Sequence, residues 1–152
     1  AWCKKAAEQG YAKAQYYLGS IYLKGLGVTQ DYKQVVAWYK KAAEQGHAEA
    51  QYDVGLMYFH GQGVTQDYKQ AVMWLKKAAE QGIAVAQYNL GLMYINGQGV
   101  TQDYVLAHMW SNIAGSLGYS DAIINRGIIA KEMTSSQIQE AQKLARKWVA
   151  KH

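Results

Sequence analysis

The six residues GVTQDY at Gly27 to Tyr32 return at Gly63 to Tyr68 and again at Gly99 to Tyr104, so the chain repeats itself every 36 residues. Residues 25–60 match residues 61–96 at about 26 of 36 positions, far above what two unrelated helical hairpins share. A period of this length marks a fold whose units cannot bury their apolar faces alone and stack on their neighbours instead. The register runs through the chain: Trp2, Trp38, Trp74 and Trp110 form one set, Gly10, Gly46, Gly82 and Gly118 a second, and Ala14, Ala50, Ala86 and Ala122 a third.

Each unit holds two amphipathic helices. In the first, helix A, Ala14, Leu18, Ile21 and Tyr22 make an apolar stripe that ends at Gly25 and Gly27. In the second, helix B, Val35, Trp38, Tyr39 and Ala42 run to Gly46, where glycine can take the left-handed conformation that closes a helix. Asp31 and Asp67 precede helices B, with Gln34 and Gln70 three residues on, the pattern of a capping box, while Asp103 is followed by Leu106 instead. The tyrosine rows Tyr22/Tyr58/Tyr94 and Tyr32/Tyr68/Tyr104, and the tryptophans Trp38, Trp74 and Trp110, are expected to pack between units.

The ends differ. The chain opens inside a helix B, so a partner helix A is expected upstream. Near the other end Arg126 replaces the apolar residue of Leu18, Val54 and Leu90, and Ala130 and Met133 replace the tyrosine and glycine that close helix A. Thr134 and Gln137 then form a T-x-x-Q box opening a helix with Ile138, Ala141, Ala145, Trp148 and Val149 on one side and Gln139, Glu140, Lys143, Arg146 and Lys147 on the other, as a terminal cap requires. The expected layout is one repeat domain over 1–152: a partial repeat (1–10), three full repeats (11–46, 47–82, 83–118), a final first helix (119–133) and a capping helix (134–152).

Composition excludes several functions. No run of 18 apolar residues exists, so no membrane-spanning helix is expected. The net charge of +5 comes largely from Lys4-Lys5, Lys40-Lys41 and Lys76-Lys77, the same two helix-B positions copied three times, with Glu8, Glu44 and Glu80 four residues beyond the first of each pair. That reads as a solvated outer face laced with weak ion pairs, and with only two arginines no nucleic-acid surface is expected. The single Cys3 reads as a partly buried thiol. His47, His60, His108 and His152 fall in different phases and make no metal-ligand spacing, so neither a metal nor a cofactor is expected. The aspartates are accounted for as caps, no carboxylate pair remains for acid–base work, and no enzymatic activity is expected.

The pattern A-x-A-Q-Y-x-L-G-x-x-Y-x-x-G-x-G of Ala84 to Gly99, continued by V-x-Q-D-Y-x-x-A-x-x-W-x-K-K-A-A-E-Q-G of Val64 to Gly82, resembles the Sel-1-like repeat (SLR) family, a relative of the tetratricopeptide repeat. The ending MTSSQIQEAQKLARKW resembles the closing helix after bacterial arrays of this kind. The resemblance implies an all-α, right-handed α/α superhelix (a solenoid) with helices A on the concave side, and an adaptor or scaffold that binds another protein or an extended peptide without catalysis. It also implies two alternatives: an immunity protein that neutralises a bacterial toxin, and an envelope assembly or host-interaction factor. A bacterial periplasmic or secreted setting is favoured on the same ground, with the cytoplasm as the alternative. The cysteine-rich branch of the family has no counterpart here, because its cysteines are missing.

Because the units are so alike, the positions that differ between them stand out. In helix A they concentrate at Lys13/Glu49/Val85/Asp121, Tyr17/Asp53/Asn89/Asn125, Ser20/Leu56/Leu92/Ile128 and Lys24/His60/Asn96/Glu132, spaced i, i+4, i+7, i+11 on one face. Beside them run Tyr52 and Tyr88. Apolar anchors among polar groups suit protein recognition, so the expected partner-binding set is Lys13, Tyr17, Ser20, Lys24, Glu49, Tyr52, Asp53, Leu56, His60, Val85, Tyr88, Asn89, Leu92, Asn96, Asp121 and Asn125. No small-molecule substrate is expected, since no enclosed pocket is written in the pattern.

Overall fold

The computed structural model describes residues 2–152. Among the described residues the fold is all-α, with nine helices and no strand: α1 (Trp2–Glu8), α2 (Ala12–Lys24), α3 (Tyr32–Glu44), α4 (Ala48–His60), α5 (Tyr68–Glu80), α6 (Ala84–Asn96), α7 (Tyr104–Ser116), α8 (Ser120–Ala130) and α9 (Ser135–Lys151). Even-numbered helices are of type A; α1, α3, α5 and α7 are of type B. The chain forms two compact units, one up to Ala78 and one from Ala79 to His152.

In the first unit α2 packs on α1 and α3, and α3 packs on α4. Val35, Val36, Tyr39, Ala42 and Ala43 of α3 join Ala50, Val54 and Met57 of α4 and Trp74 in one core, and Ala7, Ala14 and Leu18 make a smaller one. In the second unit α6 packs on α7, and α7 also carries α8 and α9. Leu90, Met93, Trp110, Ile113 and Ile129 are buried there.

A helix A closes on its helix B at a glycine. A Cβ at Gly19 would stand 2.5 Å from Tyr39 Cδ1, one at Gly55 2.8 Å from Leu75 Cγ, and one at Gly91 3.2 Å from Ser111 Oγ. These glycines sit within helices, where glycine is about 0.5–1 kcal/mol worse than alanine, so close approach is what justifies them. A second recurring contact joins each helix A to the preceding helix B. The buried side chains of Gln15, Gln51 and Gln87 donate from Nε2 to the carbonyls of Ala7, Ala43 and Ala79 at 3.2, 3.2 and 3.0 Å, in the last turn of the preceding helix. The fourth repeat has Ile123 at this phase and Gly115 in place of the alanine. A Cβ on Gly115 would lie 2.9 Å from Ile123 Cγ1, so the larger side chain is accommodated by loss of the methyl.

The GVTQDY segment is a structural turn. Gly25, Gly61 and Gly97 close helices A in the left-handed conformation, at φ 67°, 72° and 65°. Gln30, Gln66 and Gln102 then fold back, their Nε2 atoms donating to the carbonyls of Leu23, Phe59 and Ile95 at 2.9, 2.8 and 2.8 Å. Asp31 caps α3, accepting from Lys33 N at 3.0 Å and Gln34 N at 3.4 Å, and Asp103 caps α7 through Leu106 N at 3.0 Å. The expected box at Asp31 does not close. The Asp31 amide already donates to the Tyr22 carbonyl, as Asp67 and Asp103 do to Tyr58 and Tyr94, leaving no donor for a returning glutamine. The box at Thr134 does close, with Thr134 Oγ1 accepting from Gln137 N at 3.1 Å and Gln137 Oε1 from Thr134 N at 2.9 Å.

Two expectations change. Trp74 and Trp110 are buried, but Trp38 is only half-buried and Trp2 is 81% exposed. Among the described residues the paired lysines make no ion pair with Glu8, Glu44 or Glu80. Lys41 and Lys77 instead lie over the rings of Trp38 and Trp74, at 4.7 and 4.8 Å, because they stand three residues on, on the same helical face. At the end of the chain α9 turns Ala141, Ala145 and Trp148 inward against α7, the Trp148 ring standing edge-on to Trp110 at 5.9 Å.

The glycines give a paired test by thermal melting. Gly55→Ala drives a methyl into Leu75 and is expected to cost about 1–3 kcal/mol. Gly127 lies in the same phase, yet a Cβ there meets nothing within 4 Å, so Gly127→Ala is expected to stabilise by about 0.5–1 kcal/mol. Equal effects at the two sites would refute the close-approach account.

Candidate helix-A interaction face

Helix A carries its buried residues, Ala14, Gln15, Leu18 and Gly19 in α2, on one side. The next residue around the helix from the glycine row opens the variable face. In the first unit Lys13, Tyr17 and Lys24 of α2 and Glu49 and His60 of α4 are exposed, while Ser20, Tyr52, Asp53 and Leu56 are half-buried. In the second unit Val85, Tyr88, Asn89, Leu92 and Asn125 are half-buried, and Asn96 and Asp121 are exposed.

Some of these side chains are held by partners that the sequence did not announce. Tyr16 donates its hydroxyl to Asp53 Oδ2 at 2.7 Å, joining α2 to α4. The Tyr16 ring lies between those of Tyr39, 4.8 Å away, and His47, 4.7 Å away, both nearly parallel to it. Ser20 Oγ is 2.9 Å from the Tyr39 hydroxyl and donates to the Tyr16 carbonyl at 3.1 Å. His47 is the N-cap of α4: its Nδ1 accepts from Ala50 N at 3.2 Å and lies 3.7 Å from Glu49 Oε2. Thus Ser20 and Asp53 serve a latch between helices as well as lining the face.

Burial sets the electrostatics of the latch. It raises the Tyr16 hydroxyl far above the ordinary tyrosine value, helped by the hydrogen bond to Asp53 and its charge. Burial also raises the Asp53 carboxyl, against the lowering effect of the Tyr16 bond. The same positions in the second unit hold Tyr88, Tyr119 and Asn125. The Tyr88 and Tyr119 rings are 5.1 Å apart and tilted by 44°, and Asn125 Nδ2 is buried without a partner. Burial, and then Asp121, raise the Tyr88 hydroxyl.

His108 lies off this face. It is buried at the phase of Val36 and Val72, with Nδ1 unpaired. Burial, and then the Arg126 guanidinium, hold its imidazole below the usual histidine range. Arg126 itself donates to Asn112 Oδ1 at 3.0 Å, which explains how an arginine replaces the apolar residue of earlier repeats. Cys3 is half-buried, its Sγ 3.4 Å from the Ala14 carbonyl. Among the described residues no helix is long and apolar enough to cross a membrane, and no three metal-ligating side chains converge.

Two pH predictions follow from these groups. A carboxyl raised by folding contributes most where it is protonated in both states, and that contribution falls as pH climbs from the unfolded carboxylate range through the folded value. Asp53→Asn keeps an acceptor for Tyr16, so it is expected to raise the melting temperature at pH 7 and to lose that advantage near pH 3. A histidine lowered by folding behaves oppositely, its stability present above the unfolded value and lost as pH falls. His108→Val is therefore expected to gain most over the parent near pH 5, by about 1 kcal/mol or more. Melting curves across that range check both, and pH-independent differences would refute them.

Comparison with known proteins agrees with this geometry. The Sel1 repeat matches at residues 1–11, 12–47, 48–83 and 84–119. A protective antigen of uropathogenic Escherichia coli with an SLR fold is 41% identical with a TM-score of 0.89, over 98% of this chain and 32% of the antigen. A Sel1 repeat protein from Oxalobacter formigenes is 35% identical with a TM-score of 0.83, over 96% of this chain and 62% of that protein. Cysteine-rich protein B of Helicobacter pylori is 27% identical with a TM-score of 0.61, over 78% of this chain and 91% of that one. This chain thus spans about a third of the antigen and less than two thirds of the Oxalobacter protein. No curated protein matches it. With the repeat matched through residue 119 and two solved relatives above 30% identity, the chain belongs to the Sel1 repeat family and to its solenoid class of all-α repeat folds.

Proposed function

We propose that this chain is a non-catalytic interaction module that takes a protein segment or extended peptide on the variable face of its helices A, the side expected to be concave. Sel1 repeat proteins generally act as protein-interaction scaffolds, which supports the class of function. The observation that carries the site is internal to the chain. Among the positions at which these closely matched repeats differ, Glu49/Val85, Asp53/Asn89 and His60/Asn96 share one face of helix A, and that face stays accessible in both units. Tyr17, Leu56 and Leu92 supply apolar contact there, with Lys13, Glu49, His60 and Asn96 as polar partners. An envelope or host-facing role is the second reading, favoured by the description of the similar Escherichia coli protein as a protective antigen.

Crosslinked affinity capture from the source cell tests the reading. Asp53 is left intact because Tyr16 depends on it. The double variant Tyr17→Ser and Leu92→Asn is expected to weaken capture of the principal partner by about tenfold or more, with the helical spectrum unchanged. Lys40→Glu with Lys76→Glu, on the outer helices B, is expected to change it little. Loss of capture with the outer pair, and retention with the Tyr17 and Leu92 pair, would move the site off this face.

A further inference from the structure

Helix α8 is a helix A with no helix B upon it. In the first unit α2 offers Ala12, Tyr16, Gly19 and Leu23 to α3, where Ala12, Tyr16 and Leu23 pack on the core and Tyr39 sits over Gly19. The residues at the same phases are Ser120, Ile124 and Gly127 of α8 and Lys131 just beyond its end, and all four are exposed. Ile124 is 62% exposed and Ile128 beside it 58%. The helix that follows does not cover them, since α9 turns its buried alanines and Trp148 against α7. A seat that holds Tyr39 at Gly19, Leu75 at Gly55 and the smaller Ser111 at Gly91 is open at Gly127, where a Cβ would meet nothing within 4 Å.

The face is also more apolar than its exposure warrants. At the phase of Ile124 the earlier repeats have tyrosine, and at that of Ile128 they have Ser20, Leu56 and Leu92. A row of β-branched apolar side chains beside a bare glycine, left in water, is the form of a helix-in-groove site read by anchors at i, i+3 and i+4. We propose that this face of α8 docks one amphipathic α-helix of a partner protein. The chemistry of that helix is set by what the chain itself lays in the same place: α3, YKQVVAWYKKAAE, whose Tyr39 ring fills the seat at Gly19. The partner helix therefore carries a tyrosine or leucine seated on Gly127, with alanines about a turn further on. A second copy of this chain is a poorer donor, because α3 and α7 hold their own faces buried, Tyr39 at 3% and Trp110 at 4% exposure. Ile128 shares the phase of Leu56 and Leu92, but the site is carried by Ile124 and Gly127 on α8 alone and does not rest on the reading of the variable face.

The probe is a synthetic peptide with the α3 sequence, fluorescein-labelled and held helical by a side-chain crosslink on its lysine side, titrated with the full chain. Saturable binding is expected, with amide shifts in the isotope-labelled chain confined to residues 120–131. Gly127→Leu fills the seat and Ile124→Ser removes an anchor; each is expected to weaken binding about tenfold with the melting temperature retained, and a Tyr→Ala change at the peptide's eighth residue to weaken it similarly. Absent saturable binding, shifts centred on another helix, or full affinity in Gly127→Leu would overturn the proposal. So would a concentration-dependent dimer of the chain alone that Gly127→Leu abolishes, because a second copy would then be the occupant.

Discussion

The contact on which this fold depends is the seating of a helix-B side chain against a bare helix-A backbone, Tyr39 on Gly19 and Leu75 on Gly55. A methyl there would collide with the partner, so the glycine's intrinsic penalty in a helix is offset by packing that no other residue permits. The glutamine row then ties each pair backward. Gln15, Gln51 and Gln87 place a buried amide on a carbonyl in the last turn of the preceding helix, where intrahelical donors run out. A buried amide left unmade costs about 1–3 kcal/mol, so these bonds help set the register of one repeat on the next. The coupled change to Ile123 and Gly115 shows the same interface solved by packing instead.

The segment that recurs word for word, GVTQDY, is equally structural. Its glycine ends one helix, its glutamine folds back on that helix's last turn, and its aspartate starts the next. Identity across three copies therefore reflects a turn in which the glycine, the glutamine and the aspartate each hold a structural place. Recognition has to be looked for where the copies differ.

Those differing positions do not all have the same freedom. Asp53 and Ser20 lie on the variable face but are engaged by Tyr16 and Tyr39, and the corresponding Tyr88, Tyr119 and Asn125 make a looser arrangement. Repetition of a backbone thus supports local specialisation: one repeat carries a latch with a half-buried carboxylate, while another leaves an amide donor unpaired. At α8 the specialisation goes further, and a helix-A surface is left as open apolar ground.

The sequence alone determined the period, the two helices of each unit, their glycine closures, the aspartate caps, the closing box at Thr134 and the membership of a repeat family, because each is a local pattern copied in phase. It also located the variable face, since spacing i, i+4, i+7, i+11 needs only the helix geometry. Tertiary structure decided what local pattern could not carry. The failure of the box at Asp31 came from an amide already given to Tyr22, nine residues back. The lysines turned to tryptophan rings rather than to glutamates, and Trp38 stayed half-exposed while Trp74 and Trp110 were covered. The roles of the Gly19 and Gln15 rows were visible as repeated letters, yet their reason lies in contacts between helices, as does the Tyr16–Asp53 latch that links side chains 37 residues apart. The same holds for α8: its sequence reads as one more helix A, and only the turn of α9 onto α7 leaves it bare, because which neighbour a capping helix buries is settled by packing and not by periodicity.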